Sequence, residues 1–293
     1  MAIERLRANQ TGTGSREFKL SHVLEALLEP KTYLWIGMSM LLNVGASVTN
    51  TFGPLILSGL GFNAYTTSLL NMPFGAMQLI VIFVASYLAQ RARIKGAVLA
   101  VVTLPVVAGL AVLYAVPRGA SHQAPLLVGY YLLAFLFGGN PLIVTWIVGN
   151  TAGTTKKSFV MSAYNAASSA GNIVGPLLFN KKDAPAYLPG LRGCLGIFVA
   201  LVAVVLIQWA QLVFLNRLQE RKRVKNGKPA KMVDQSMRAQ YHDIEEQDDE
   251  TIATGMPEQA TTGEGAPAHH EALGQKAFLD LTDRQNDEFV YIY

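Results

Sequence analysis

Hydrophobic and polar positions fall into long separate blocks along this chain. Six windows contain no Asp, Glu, Lys, Arg or His: Thr32–Leu57, Tyr65–Gln90, Gly96–Val116, Pro125–Val148, Ser158–Asn180 and Gly193–Asn216. Each is close to the roughly 20 residues an α-helix needs to cross bilayer hydrocarbon. A soluble core can be equally apolar, but it rarely repeats such windows six times between short basic loops. The pattern predicts an all-α membrane protein with six transmembrane helices over residues 32–216. The preceding residues 1–31 are polar, with Phe18, Val23, Leu24, Leu27 and Leu28 spaced for a short helix lying on the membrane surface. Residues 217–293 turn basic and then acidic, and their Gly/Pro/Thr/Ala-rich stretch holds too little apolar surface to offset ordering entropy. That segment is expected to be a disordered tail.

Polar residues inside the windows lie on stripes. Asn43, Ser47 and Asn50 stand at i, i+4 and i+7, as do Asn71, Gly75 and Gln78, and Asn165, Ser169 and Asn172, so each set shares a helical face. The fourth window adds Asn140 beside Pro141, with Thr145 and Trp146 further on. An amide in hydrocarbon loses water that it cannot replace there, so these groups belong toward a protein interior or a wet cavity. Two readings stand side by side. The amides can hydrogen-bond between packed helices, with Gly171 and Gly175 allowing close approach, or they can line a polar path. The third window holds little beyond Thr103 and Tyr114, and the sixth only Gln208 and Gln211 near its cytoplasmic end, ahead of its closing Asn216. An asymmetry of that kind favours a path lined by helices one, two, four and five, with three and six toward lipid. The candidate substrate-binding residues are Asn43, Asn50, Asn71, Gln78, Asn140, Asn165 and Asn172. Gly53-Pro54, Pro73, Pro105 and Pro141 interrupt the helical ladder and free backbone groups for a cavity or a neighbour to satisfy.

Composition sharpens the class. Hydrophobic residues make up 51% of the 293 and charged residues only 15%, against about a quarter charged in soluble domains. The stretches before the first window, between the second and third, between the fourth and fifth, and after the sixth as far as Lys231 carry 17 Lys and Arg; the alternate loops carry four. Cytoplasmic loops are the basic ones, which predicts both termini in the cytoplasm. The basic run after Asn216 reads as an anchor to anionic headgroups rather than a nucleic-acid contact. Cys194 is the single cysteine, so it has no disulfide partner in the chain, and no Cys/His cluster suggests a metal. Gly153-Thr154-Thr155-Lys156-Lys157-Ser158 lacks the Gly that a phosphate-binding loop needs before its Lys. The windows offer no nucleophile, base and orienting group together, and no cofactor motif, so an enzyme is not expected.

Six spans with polar helices one, two, four and five and a basic loop, Leu88-Ala89-Gln90-Arg91-Ala92-Arg93-Ile94-Lys95, resemble half of a major facilitator superfamily transporter. Gln90 stands where that loop motif usually has an acid. Gly139-Asn140-Pro141, Trp146, the run Asn150 to Lys157 and Gly171-Asn172-Ile173-Val174-Gly175-Pro176 resemble the fungal allantoate permease group of anion:cation symporters. Ala184-Pro185-Ala186-Tyr187 and the ending Asp280-Leu281-Thr282-Asp283 with Phe289, Tyr291 and Tyr293 are similar to that group as well. The resemblance implies a plasma-membrane carrier of small organic anions of the allantoate, ureidosuccinate, nicotinate or pantothenate kind, coupled to protons. It also implies that the chain is the carboxyl-terminal half, the C-terminal domain of a major facilitator fold. Arg5-Leu6-Arg7 and Asn9-Gln10 would then belong to the central cytoplasmic loop, and the partner would be a missing or separate N-terminal six-helix half. The alternative is a truncated, non-transporting or regulatory membrane protein whose stripes only pack helices.

Overall fold

In the computed structural model, the described residues are 17–59, 63–92, 94–117, 119–184, 186–228, 230, 276 and 279–293. The expectation for residues 1–16 and most of that for the tail, residues 231–275, lie outside them. All regular elements among the described residues are helical: α1 (Leu20–Leu28), α2 (Pro30–Asn50), α3 (Gly53–Gly59), α4 (Ala64–Ala92), α5 (Lys95–Ala115), α6 (Gln123–Leu132), α7 (Gly139–Gly149), α8 (Thr154–Val174) and α9 (Leu188–Lys225), with short 3-10 turns between some of them.

Four stretches are long and apolar enough to cross a membrane: Tyr65–Ala92, Lys95–Ala115, Gln123–Gly149 and Leu188–Lys225. The first and fifth expected spans do not reach that level. Their helices α2 and α8 are 21 residues each, long enough, but their Asn, Ser, Thr and Lys residues lower the hydropathy. The first window is also divided, since α2 ends at Asn50 and Gly53-Pro54 opens the separate α3. In the fourth, the 3-10 turn Leu133–Gly138 joins α6 to α7. Pro141 has no N–H to give and its ring crowds the carbonyl four residues back, which favours such a tightened turn just before it.

α2 is central: it packs along α8 on one side and α9 on the other, while α9 also runs against α5, and α5 against α6. Small residues set these distances. A Cβ on Gly171 would sit 2.8 Å from the Met40 carbonyl, and one on Gly175 2.7 Å from that of Val44, so the close approach expected of that pair is realised between α8 and α2. Trp35 and Trp146 meet edge to face at 4.8 Å in the buried core. The turn between α7 and α8 depends on Gly153, whose φ of 85° is costly for any residue with a Cβ. α1 exposes Leu20, Leu24, Leu27 and Leu28 and turns His22 and Ala26 inward. α9 exposes Val199, Leu206, Ile207 and Phe214.

The tail departs from expectation at both ends. α9 continues as helix through the basic run to Lys225, and at 1.5 Å per residue its 38 residues reach about 57 Å, beyond the roughly 30 Å of hydrocarbon. Residues 279–293 are not disordered: they lie across one end of the bundle with Phe289, Tyr291 and Ile292 buried. The composition of 217–293 as a whole conceals this. Its last residues bring aromatic surface and acids that meet buried cations, enough to order them.

Candidate functional site

Three of the predicted amides come together. Asn43, buried on α2, donates to the Ser39 carbonyl at 2.8 Å and reaches the Asn140 Oδ1 of α7 at 3.5 Å. Asn172 of α8 donates to the Asn43 Oδ1 at 3.4 Å and to the Ser168 carbonyl at 3.0 Å. The hydroxyl of Tyr164, also on α8, donates to the Asn140 Oδ1 at 2.7 Å, and Ser39 donates to the Tyr164 carbonyl at 2.8 Å. Thus α2, α7 and α8 are joined by one polar network, with Asn43 and Tyr164 enclosed and Asn172 on the open side.

The other four stand apart from it. Asn71 of α4, half-buried, accepts from the Tyr130 hydroxyl at 2.8 Å, and the Tyr130 ring stacks on Phe74 at 4.7 Å. Gln78 is half-buried about two turns further along α4, and Asn50 and Asn165 are exposed. The α8 stripe Asn165, Ser169, Asn172 therefore faces outward from the helical packing, whereas the α2 stripe is divided between buried Asn43 and Ser47 and exposed Asn50. Chemically, the seven positions offer neutral donors and acceptors suited to a polar solute. Tyr164 completes the network and Tyr130 pairs separately with Asn71; both were missed because a tyrosine in an apolar window resembles ordinary core.

A second constellation, at the bundle end crossed by residues 279–293, was not predicted. Lys156, wholly buried at the start of α8, contacts Glu25 at 2.8 Å, Glu29 at 2.7 Å and Asp283 at 2.9 Å. Lys31, at the start of α2, pairs with Asp283 and lies 3.3 Å from Glu29. Tyr291 donates to Asp283 at 2.7 Å. The carboxylates of Glu25, Glu29 and Asp283 lie within 4.8 Å of one another, close enough for a metal, but two lysine ammonium groups, with Arg284 3.9 Å from Glu29, already meet their charge. Burial alone would push the Asp283 carboxyl up; Lys31 and Lys156 override it and hold it well below the usual range. For Glu29, burial wins and, with Asp283 nearby, raises its carboxyl despite the lysines. Lys156 and Lys157 look like a plain topology marker in sequence; the available signal for the cluster was the acid and aromatic pattern of the last residues.

The described residues form a helical bundle with four membrane-length apolar stretches and a polar network joining α2, α7 and α8. The model of the Major Facilitator Superfamily matches residues 2–176, and the chain belongs to that superfamily. It is an integral membrane protein. An MFS-type transporter, cnsL, of Penicillium expansum is 38% identical over 192 residues, 65% of this chain and 39% of the relative. An uncharacterized transporter of Schizosaccharomyces pombe is 26% identical over 99% of this chain and 48% of its own length. The allantoate permease of Saccharomyces cerevisiae is 28% identical over 76% of this chain and 41% of its own length. The chain spans less than half the length of each of these relatives. They are transporters by name, and the likeness is to transporters rather than enzymes. No solved structure matches the chain.

Proposed function

We propose that this chain is the C-terminal six-span half of a carrier for small organic anions of the allantoate, ureidosuccinate, nicotinate or pantothenate kind, working by alternating access against an N-terminal half. In this reading α2 and α8 count as spans beside the four more apolar stretches, because their polar positions face the solute rather than lipid. The observation that carries the reading is the network of Asn43, Asn140, Asn172 and Tyr164, three helices joined by neutral hydrogen-bonding groups at the level of the spans. The outward stripe of Asn165, Ser169 and Asn172 extends it toward where the other half would sit. Asn50, Asn71 and Gln78 serve the same path from α2 and α4. The basic flanks support cytoplasmic termini, the allantoate permease likeness supports an organic anion, and plasma-membrane residence and proton coupling follow from the same group. The seven amides carry no charge, so a coupling acid and an anion-binding cation belong to the N-terminal half.

Uptake by the full-length carrier, assayed across a panel of such anions, tests this. Asn172→Leu should lower uptake of the transported anion by about 5- to 150-fold while membrane insertion persists, since it leaves the buried Asn43 Oδ1 without its partner at roughly 1–3 kcal/mol. Unchanged kinetics would favour the alternative, a non-transporting membrane protein in which the amides only join helices.

A further inference from the structure

Residues 280–293 meet the helical domain in the manner of a bound peptide. Asn150, at the end of α7, accepts from the Ile292 N–H at 2.7 Å and donates to the Ile292 carbonyl at 2.9 Å. Asn216 on α9 does the same to the next residue back, accepting from the Tyr291 N–H at 2.8 Å and donating to its carbonyl at 2.7 Å. Two asparagines thus clamp consecutive peptide units, reading backbone rather than side chain. Gln219 donates to the carbonyls of Asp283 and Asn286, and Arg223 to those of Asp287 and Phe289. Within the segment itself, a turn capped by Thr282 is the main internal structure. Its order therefore comes from the groove.

Charge balance matches a ligand that can leave. Without the segment, Lys31 and Lys156 still face Glu25 and Glu29, two cations against two carboxylates. The segment adds Asp283 to the lysines and, one residue on, Arg284 at 3.9 Å from Glu29. The pocket around Lys31 and Lys156 is neutral whether empty or filled, so departure strands no net charge there, the usual barrier to separating buried ionic groups; the segment's other acids, Asp280, Asp287 and Glu288, pair with Lys19 and Lys228, which already reach solvent in part and need no buried partner once the segment leaves.

We propose that the groove formed by Asn150, Asn216, Gln219, Arg223, Lys31 and Lys156 is a peptide-binding site whose occupant, residues 280–293, is releasable. The occupant ties the starts of α2 and α8, the end of α7 and the far part of α9 into one unit, and its release frees those ends to part. This goes beyond the transport reading and holds whatever solute the bundle carries.

A protease site inserted between Gly263 and Glu264 of the full chain allows the segment to be severed after folding and purification. The severed segment should remain bound, exchange with an excess of synthetic peptide of residues 279–293, and resist an Asp283→Asn peptide by about tenfold or more, the loss of one set of charge-assisted hydrogen bonds. A segment that never exchanges is permanent core, one that leaves on cutting with no rebinding has no site, and an Asp283→Asn peptide that competes equally has no acid anchor; each overturns the proposal. Amide hydrogen exchange on the uncut chain adds a reading without any variant. The Tyr291 and Ile292 amides should exchange well before those near Val205 in mid-α9, and equal protection would overturn release.

Discussion

At the scale of single residues, the decisive group is Lys156. It is wholly buried against three carboxylates from two separate parts of the chain, so its removal leaves Glu25, Glu29 and Asp283 crowded with one remaining lysine. Lys156→Met should destabilise the protein by about 3–5 kcal/mol, the range for breaking a buried pair from one side, and adding Asp283→Asn should restore part of that loss in thermal unfolding. A double variant no more stable than the single one would contradict the account. The same cluster sets a pH dependence with two opposed arms. Asp283 is held below its ordinary 3.8, so its contribution is complete above that value and is lost as pH falls below it. Glu29 is raised from 4.5, so the folded chain holds its proton more tightly and stability declines as pH rises through the range just above 4.5. A melting temperature measured against pH should peak on the acidic side of neutral. Glu29→Gln should flatten the upper arm and leave the lower one, and an unaltered profile would contradict this.

At the scale of elements, the contact between α8 and α2 rests on a glycine. Gly171→Leu would drive a side chain into the Met40 carbonyl and Asn43, costing about 1–3 kcal/mol by overpacking and separating Asn172 from Asn43. Gly196→Ala, inside α9 with nothing within 4 Å of the added carbon, should leave stability unchanged or raise it by up to about 1 kcal/mol. Comparable unfolding of the two variants would show that the helices do not depend on this approach. Much of this was legible in the chain, because the Gly171 and Gly175 spacing and the amide stripes follow helical periodicity, which a window of sequence carries within itself. The division of the first window at Gly53-Pro54 was signalled by the same proline, though not its result, a separate short helix. Neither Tyr164 with Asn140 nor Tyr130 with Asn71 was legible, since those pairings join helices and local periodicity contains no information on which faces meet. The burial of Lys156 was hidden for the same reason: its partners lie 127 to 131 residues away.

At the scale of the whole molecule, the described residues carry a polar seam joining α2, α7 and α8 and a charged clasp at one end of the bundle. The seam follows from amides that cannot remain in hydrocarbon unpaired, and the clasp from acids and aromatics late in a polar tail. Both use α2 and α8, the two helices least suited by hydropathy to face lipid, so movement of one against the other would be felt at the seam and at the clasp together. The central claim is that the open side of that seam meets water. Single cysteines at Asn140, Asn165 and Asn172, in a Cys194→Ala background reconstituted in bilayers, can be treated with a charged maleimide and compared with a cysteine at Leu206 on the exposed face of α9. The account predicts rapid labelling at the α8 positions, slower labelling at Asn140 and none at Leu206; labelling at Asn165 and Asn172 as poor as at Leu206 would contradict it.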